Sequence, residues 1–248
     1  MPTISVRGKR FECDLVIFDM DGTLIDVTPR LFSLAEARIE AMKDVVGEEV
    51  IELWSKASGV DLEAGKIDLY GPLAGAPRSE DLIVAATVLY LKGWRWREAK
   101  TLAEEIYNSA DKIQAETYWA TLYPGVEATL REMRSAGLKL AIATNAPRVS
   151  VEDLMRSMGV RGLFEALVGA DDVDRPKPAP DMILLVCEKC GCAPNKAIYV
   201  GDAPEDMNAG RQASAKAVIA VRSELLPAAE IERLADAVID SITDIQVL

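Results

Sequence analysis

The sequence of 248 residues contains no histidine, and this absence removes a large part of enzyme chemistry. Without an imidazole there is no Ser-His-Asp triad, no Cys-His protease site, no histidine phosphatase and no His-ligated zinc. Any acid–base step in this chain must therefore use carboxylates, Lys, Tyr, Cys or metal-bound water.

Basic residues and long apolar runs are also scarce. The 28 Lys and Arg face 40 Asp and Glu, which gives a net charge of −12 and repels nucleic acids and anionic membranes. The longest apolar run, Leu82–Leu91, has ten residues, whereas a membrane span needs about 20. Residues 1–12 carry no hydrophobic signal-peptide stretch. We therefore expect a cytoplasmic protein with no nucleic-acid or membrane partner.

Cysteine is limited to four residues, three of which form a C-x2-C-x-C cluster. A metal or redox site is one interpretation of Cys187, Cys190 and Cys192. Two of them fall near the end of a predicted helix, and only Cys13 is left to complete a four-sulfur site. We interpret all four as small, buried apolar side chains.

Half of the residues are apolar, and they recur in short runs separated by helical segments. The predicted strands are Leu15–Phe18, Leu138–Ala143, Ala166–Val168, Ala197–Val200, Ala217–Val221 and Ala237–Ile239. The predicted helices between and after them are 125–136, 148–158, 179–190, 204–213 and 227–236. Continuous apolar strands that alternate with helices are typical of a doubly wound parallel α/β sheet. A hairpin with Gly8 in its turn is expected over 4–11.

Residues 27–119 interrupt this alternation, because no strand-like run is visible there. The predicted helices in this region are 29–46, 48–58, 79–92 and 96–118, the third with Ser79 as its capping residue. The sequence thus predicts an α/β core formed by residues 1–26 and 120–248. An α-helical domain over 27–119 is inserted after the first strand.

Two carboxylates follow the first predicted strand, in Asp19-Met20-Asp21-Gly22-Thr23. Residues two apart on an extended chain point to the same side, so Asp19 and Asp21 are expected to converge. The carboxyl ends of parallel strands are where such sheets bind ligands. Two neighbouring anions favour a cation between them, and oxygen ligands favour Mg²⁺.

Other polar groups follow the later strands. Thr144 and Asn145 end the second run, and the fourth leads into Asp202 and Asp206. The loop after the third run brings a lysine between prolines, Arg175-Pro176-Lys177-Pro178. Each strand is therefore expected to deliver a different polar group to one rim of the sheet.

These four motifs, in this order, resemble those of the haloacid dehalogenase superfamily, near its phosphoglycolate phosphatase branch. The resemblance spans residues 19–206, and the insert after the first motif is similar to the family's cap of the first type. It implies a Rossmann-like core, a bound Mg²⁺ and hydrolysis of a small phosphorylated metabolite through an aspartyl-phosphate.

The resemblance also implies a role for each motif residue. Asp19 is the expected nucleophile, Asp21 the acid–base and Lys177 the catalytic cation. The expected metal ligands are Asp19, the main-chain carbonyl of Asp21, Asp202 and, through water, Asp206; for Asp206 the alternative is to hold Lys177. The expected substrate-binding residues are Thr144, Asn145 and, in the cap, Arg78.

Two other functions remain open at this point. A sugar phosphomutase resembling beta-phosphoglucomutase has the same motifs and cap type, and a catalytically silent protein would bind a phosphorylated ligand in the same pocket. Both a monomer and a homodimer are compatible with the sequence. Four residues are expected to pack a hinge between cap and core: Tyr118, Trp119, Leu122 and Tyr123.

Overall fold

A computed structural model describes residues 2–61, 63–76, 78–117, 120–223 and 233–248, without the side chains of 115–117. It divides the chain into two compact units, one formed by residues 1–26 and 120–248 and the other by residues 27–119. We call the first the sheet unit and the second the helical unit.

The secondary structure alternates in the sheet unit and is mainly helical in the insert. The strands are β1 (Thr3–Val6), β2 (Lys9–Glu12), β3 (Leu15–Phe18), β4 (Val60–Asp61), β5 (Lys66–Ile67), β6 (Lys139–Ala143), β7 (Ala166–Val168), β8 (Ala197–Gly201), β9 (Ala217–Val221), β10 (Ala237–Ile239) and β11 (Ile245–Val247). The helices are α1 (Thr28–Lys43), α2 (Glu48–Ser58), α3 (Pro72–Gly75), α4 (Arg78–Leu91), α5 (Trp96–Thr117), α6 (Val126–Ser135), α7 (Arg148–Ser157), α8 (Asp181–Cys190) and α9 (Pro204–Gln212).

The main sheet has six parallel strands in the order β10-β9-β8-β3-β6-β7. The chain moves from the central β3 to β6 and β7 on one side, and then to β8, β9 and β10 on the other. This reversal creates a topological switch point at the carboxyl ends of the central strands. The predicted Rossmann-like α/β fold is confirmed.

Burial on both faces explains why the strands are continuously apolar. In β3, Leu15 and Ile17 pack into the layer that contains Met182 of α8, and Val16 and Phe18 pack into the opposite layer. All four β3 side chains are fully buried. Burying each such side chain contributes about 1.5–3 kcal/mol relative to leaving it in water.

A small antiparallel sheet with the order β11-β1-β2 completes the sheet unit. The predicted hairpin is present, and Arg7 and Gly8 in its turn have φ values of 46° and 82°. A two-residue turn with both φ values positive matches the twist of the flanking strands. The strand β11 is not predicted from the sequence, because its pairing with β1 is set by tertiary structure.

The helical unit packs around a core that includes Trp54, Leu89 and Tyr107. A buried ion pair joins Arg38 of α1 to Asp81 of α4. The expectation of an insert without strands is wrong, since β4 and β5 pair there as two-residue strands. Two residues each give too short a run for a sequence pattern to reveal.

The start of α4 also differs from the prediction. The helix begins at Arg78, so Ser79 lies inside its first turn and is not the capping residue. Most of the helix predicted over 227–236 lies outside the described residues, as do Tyr118 and Trp119 of the predicted hinge. Among the helices that the structure describes, none has the length and apolar character needed to cross a membrane.

Candidate active site

The first part of the site is the turn that follows β3. Asp19 is 6 % exposed, and its backbone N–H donates to the carbonyl of Val200 on β8 at 2.8 Å. The chain then turns back, with the N–H of Gly22 donating to the carbonyl of Ile25 at 2.9 Å. The turn therefore fixes Asp19 at the carboxyl edge of the sheet, between β3 and β8.

Gly22 is required for this turn on two grounds. Its φ is 79°, a conformation that L side chains rarely adopt, and a Cβ at this position would overlap the carboxylate of Asp202. The next residue, Thr23, donates its hydroxyl to Asp202 Oδ1 at 3.3 Å. The turn after β3 and Asp202 are therefore in direct contact, and Gly22 lies too close to Asp202 to carry a side chain.

We expect Gly22→Ala to destabilise the fold more than Gly8→Ala does, although both glycines have a positive φ. Gly8 has a φ of 82°, and a Cβ added there would meet no atom within 4 Å, so its substitution carries only the backbone cost, about 1–2 kcal/mol. At Gly22 the crowding of Asp202 adds about 1–3 kcal/mol. Urea unfolding of the two variants measures the difference, and equal losses would contradict the predicted crowding.

Lys177 lies at the centre of the site. Its ammonium donates to Asp19 Oδ1 and Asp206 Oδ1, each at 2.6 Å, and to the hydroxyl of Tyr199 at 3.2 Å. The side chain is buried, and burial alone lowers the pKa of Lys177. Its interactions with Tyr199 and with the carboxylates of Asp19 and Asp206 outweigh burial and raise this pKa well above 10.5. Lys177 is therefore a fixed cation.

Asp206 uses both of its carboxylate oxygens within the protein. Oδ1 accepts hydrogen bonds from the Lys177 ammonium and from the Tyr199 hydroxyl, the latter at 2.9 Å. Oδ2 accepts hydrogen bonds from the backbone N–H groups of Asp202 and Ala203, at 3.1 and 3.0 Å. This carboxylate thus closes the turn at the start of α9 while holding Lys177.

Negative charge exceeds positive charge in this cluster. Burial, opposed by Lys177 and reinforced by Asp206 and Asp21, raises the pKa of Asp19 to about 7. Burial and the charges of Asp19 and Asp206 raise the pKa of Asp202 to about 8. One lysine therefore does not compensate the buried carboxylates, which leaves the site suited to a further cation.

The geometry fits a metal ion with oxygen ligands. Carboxylate oxygens of Asp19, Asp202 and Asp206 lie within 4.8 Å of one another, and no second such group of acidic or cysteine side chains occurs in the part of the chain that the structure describes. Three carboxylates suit a hard divalent cation. The side chain of Asp21 is not in this group, and its predicted metal contact through the main-chain carbonyl stays a prediction.

A family model for haloacid dehalogenase-like hydrolases matches residues 13–214, a range that contains all of these side chains. The chain is a haloacid dehalogenase-like hydrolase. The family predicted from the four motifs is confirmed.

Curated relatives of this hydrolase include the phosphoglycolate phosphatases of Shigella boydii serotype 4 and Escherichia coli K12. Each is 30% identical to it, over 213 and 212 residues, which is 82% of this chain and 79% of the relative. These matches place the hydrolase within the haloacid dehalogenase-like family along most of its length.

Solved structures with the same fold include a predicted phosphoglycolate phosphatase from Haemophilus somnus, with a TM-score of 0.66 and 24% identity over 94% of this chain and 96% of that one. A proposed beta-phosphoglucomutase from Thermotoga maritima has a TM-score of 0.67 and 22% identity over 91% and 94%. CbbY from Rhodobacter sphaeroides, in complex with xylulose-1,5-bisphosphate, has a TM-score of 0.58 and 19% identity over 93% and 95%. At these identities the likeness establishes the fold of the hydrolase.

The predicted substrate-binding residues have different surroundings in this hydrolase. Thr144 is buried beyond β6 at the site edge, and its hydroxyl oxygen accepts the N–H of Ala146 at 3.3 Å. Asn145 makes reciprocal bonds with the backbone of Lys177, accepting its N–H at 3.1 Å and donating to its carbonyl at 3.2 Å. The amide of Asn145 therefore holds the lysine loop, and its predicted contact with substrate stays a prediction.

Arg78 belongs to the helical unit, where its guanidinium donates to Asp111 at 2.8 Å and to Asn108 at 3.0 Å. Both partners lie on α5, so Arg78 ties the first turn of α4 to that helix. The predicted contact of Arg78 with substrate stays a prediction.

Tyr199 is the site residue that the sequence reasoning missed. It is fully buried in β8 and bonds to two of the charged groups. The signal that could have revealed it was a tyrosine in the otherwise aliphatic strand Ala197–Gly201, because a buried phenol requires a polar partner.

The four cysteines are free thiols, and Cys13, Cys187 and Cys190 are buried. Burial raises the pKa of Cys13 and that of Cys187 to about 12, so both are held as neutral thiols at physiological pH. Cys187 and Cys190 pack against β-strand residues in one layer of the core. These surroundings agree with the interpretation of Cys13, Cys187 and Cys190 as buried packing residues. The expectation of burial is wrong for Cys192, which is only half-buried against the same layer.

Proposed function

We propose that this hydrolase is a Mg²⁺-dependent phosphatase that acts on a small phosphomonoester through a phosphorylated Asp19. The observation that carries the proposal is the buried ion pair between Lys177 Nζ and Asp19 Oδ1 at 2.6 Å, inside a cluster of three carboxylates. The cluster lies at the edge of the sheet where parallel α/β folds bind ligands.

Asp19 is the proposed nucleophile. Its carboxylate oxygen forms a bond to phosphorus while the bond between phosphorus and the ester oxygen breaks. Lys177 fixes one carboxylate oxygen and neutralises part of the charge on the transferring phosphoryl group. In the proposed mechanism, the hydroxyl of Thr144 at the same edge donates a hydrogen bond to a phosphoryl oxygen.

Asp21 is the proposed acid–base. It gives a proton to the departing alkoxide, and it then takes a proton from the water that attacks the phosphorus of the acyl phosphate. The bond between phosphorus and the Asp19 oxygen breaks in this second step, which releases inorganic phosphate and restores both carboxyl groups. The two-residue spacing from Asp19 and the proximity that lets Asp21 raise the pKa of Asp19 support this role.

The proposed metal ligands are Asp19, Asp202 and the main-chain carbonyl of Asp21. Bound Mg²⁺ would offset the repulsion between the carboxylates and the phosphate. Both carboxylate oxygens of Asp206 already accept hydrogen bonds, from Lys177 and from the turn that begins α9. We therefore propose that Asp206 positions Lys177 and does not bind the metal.

Metal affinity is expected to depend on pH. Asp19 and Asp202, with pKa values of about 7 and 8 in the metal-free chain, are partly protonated at pH 7 and must lose those protons to bind a cation. We expect Mg²⁺ affinity to fall by about tenfold or more for each unit below pH 7. Calorimetry in two buffers of different ionisation enthalpy measures the protons released, and zero release at pH 7 would contradict the shifted values.

We further propose that residues 1–26 and 120–248 form the catalytic core and that the helical unit, 27–119, is the cap that sets specificity. The insert follows the first motif directly, as in the cap type that the sequence resembles. The phosphoglycolate phosphatases among the relatives make 2-phosphoglycolate the first substrate to test.

The function is tested with a panel of phosphate esters that contains 2-phosphoglycolate, glucose 1-phosphate and glucose 6-phosphate, assayed with Mg²⁺ and with EDTA. We expect phosphate release that requires Mg²⁺, with the highest kcat/KM for 2-phosphoglycolate. Formation of glucose 6-phosphate that requires glucose 1,6-bisphosphate, without phosphate release, would favour the mutase. Ligand binding without turnover of any ester would favour a silent binding protein.

A further inference from the structure

The three protons of the Lys177 ammonium have three acceptors, and one of them is not a carboxylate. Two acceptors are Asp19 Oδ1 and Asp206 Oδ1, and the third is the phenol oxygen of Tyr199 at 3.2 Å. A lysine ammonium has three donors and no acceptor. In this buried position, the Tyr199 hydroxyl therefore completes the hydrogen bonding of the cation.

The phenol is itself fixed by the sheet. Tyr199 lies opposite Ile17 of β3 in the parallel register, and its ring packs in the layer of α8. Its hydroxyl lies 3.1 Å from the carbonyl oxygen of Ala143, at the end of β6, and 2.9 Å from Asp206 Oδ1. The single hydroxyl proton is donated to one of these two acceptors at a time.

We propose that Tyr199 is a positioning residue that holds the Lys177 ammonium on Asp19, an inference that rests on the proposed phosphatase function. Lys177 comes from a loop, whereas Tyr199 belongs to a central strand that is paired on both sides. The sheet therefore fixes the position of the phenol. The hydrogen bond from the Lys177 ammonium to the phenol in turn fixes the ammonium, although the backbone of Lys177 lies outside the sheet.

The consequence for catalysis follows from the charge balance around Lys177. Without the phenol oxygen, the third proton of the buried ammonium has no acceptor among these groups, and the cation can shift between Asp19 and Asp206. A shift away from Asp19 weakens neutralisation at the atom that attacks phosphorus, which lowers the rate of the chemical step. The proposed mechanism gives Tyr199 no contact with the ester, so binding of the ester is expected to change little.

The test is Tyr199→Phe, which keeps the ring and its packing and removes the hydroxyl alone. We expect kcat to fall about 10- to 30-fold with KM changed less than twofold. The matched control is Tyr107→Phe, which removes another buried hydroxyl that bonds Asp81 and Trp54 in the helical unit. We expect a similar loss of melting temperature in both variants and a normal kcat in the control.

A second measurement separates positioning from general damage to the fold. Rapid-quench kinetics of Asp19 phosphorylation should show the slow step in Tyr199→Phe, while circular dichroism shows an unchanged fold. A Tyr199→Phe enzyme with kcat within twofold of the wild type, or an equal loss of kcat in Tyr107→Phe, would overturn the positioning role. Absence of phosphate release by the wild-type chain would instead overturn the proposed function.

Discussion

Asp19→Asn is expected to lower kcat by at least about 10⁴-fold, because an amide cannot form the bond to phosphorus on which the proposed route depends. The substitution preserves the size of the side chain and removes one negative charge from a buried cluster that carries an excess of it. The loss should therefore occur in a chain that is folded and still binds inorganic phosphate.

The control for this variant is Asp14→Asn. Asp14 precedes the same strand, β3, at the opposite end, where its carboxylate lies 3.7 Å from Lys196 in a partly exposed ion pair. Such pairs contribute little to stability, so we expect normal turnover. Phosphate release within tenfold of wild type by Asp19→Asn would exclude Asp19 as the nucleophile. Trapping of labelled phosphate on the wild-type chain, but not on the variant, would support it.

The second large effect is expected from two variants of the same cluster, Lys177→Met and Asp202→Asn. Both should lose activity, but their free energies of unfolding should change in opposite directions. Lys177→Met removes a cation that Asp19 and Asp206 share. Removing one partner of a buried ion pair typically destabilises a fold by about 3–5 kcal/mol. We expect Lys177→Met to lower both the free energy of unfolding and kcat, the latter by about 10³-fold or more.

Asp202→Asn removes a negative charge from the same cluster and should act in the opposite direction on the metal-free chain. Its folded-state pKa of about 8, against 3.8 for the free group, means that the folded chain binds the proton more tightly than the unfolded chain. The contribution of Asp202 to stability is therefore lost as pH rises from about 4 to about 8. At pH 8 the neutral amide avoids this loss, so the melting temperature should rise by several degrees.

Differential scanning calorimetry at pH 5 and pH 8, with EDTA and with Mg²⁺, measures both variants. We expect the stabilisation of Asp202→Asn to be small at pH 5, to be larger at pH 8, and to be accompanied by loss of the response to Mg²⁺. If Asp202→Asn were as destabilising as Lys177→Met at pH 8, the cluster would not carry the excess negative charge inferred from its geometry.

The parts of the structure that the sequence predicted are those fixed by local pattern. Leu15–Phe18 is apolar at every position because both faces of β3 are covered, and Asp19 and Asp21 follow it at a spacing that places them at the sheet edge. Lys177 and Asp202 were recognisable because each follows a strand of the same kind in chain order. The order of the strands then brings them together.

The parts that were missed depend on partners far away in the chain. Nothing near Tyr199 indicates that its hydroxyl meets Lys177, and nothing near Asn145 indicates that its amide binds the backbone of the lysine loop. Tyr199 is 22 positions from Lys177 in the chain, and Asn145 is 32 positions from it. Ile245–Val247 was missed for the same reason, since it becomes a strand only by pairing with Thr3–Val6.

The way the insert joins the sheet unit has a consequence for chain entropy. Just outside it, the N–H of Tyr123 donates to the carbonyl of Leu24 at 2.9 Å, and Ile25 pairs with Leu122 as an antiparallel bridge. These bonds within the sheet unit therefore hold the two ends of the insert close together, whatever the length of the insert. Doubling a flexible loop adds only about 0.6 kcal/mol to the entropy of closing it. At this position, inserts of very different length and sequence could be exchanged while the carboxylates and Lys177 stay where the strands hold them.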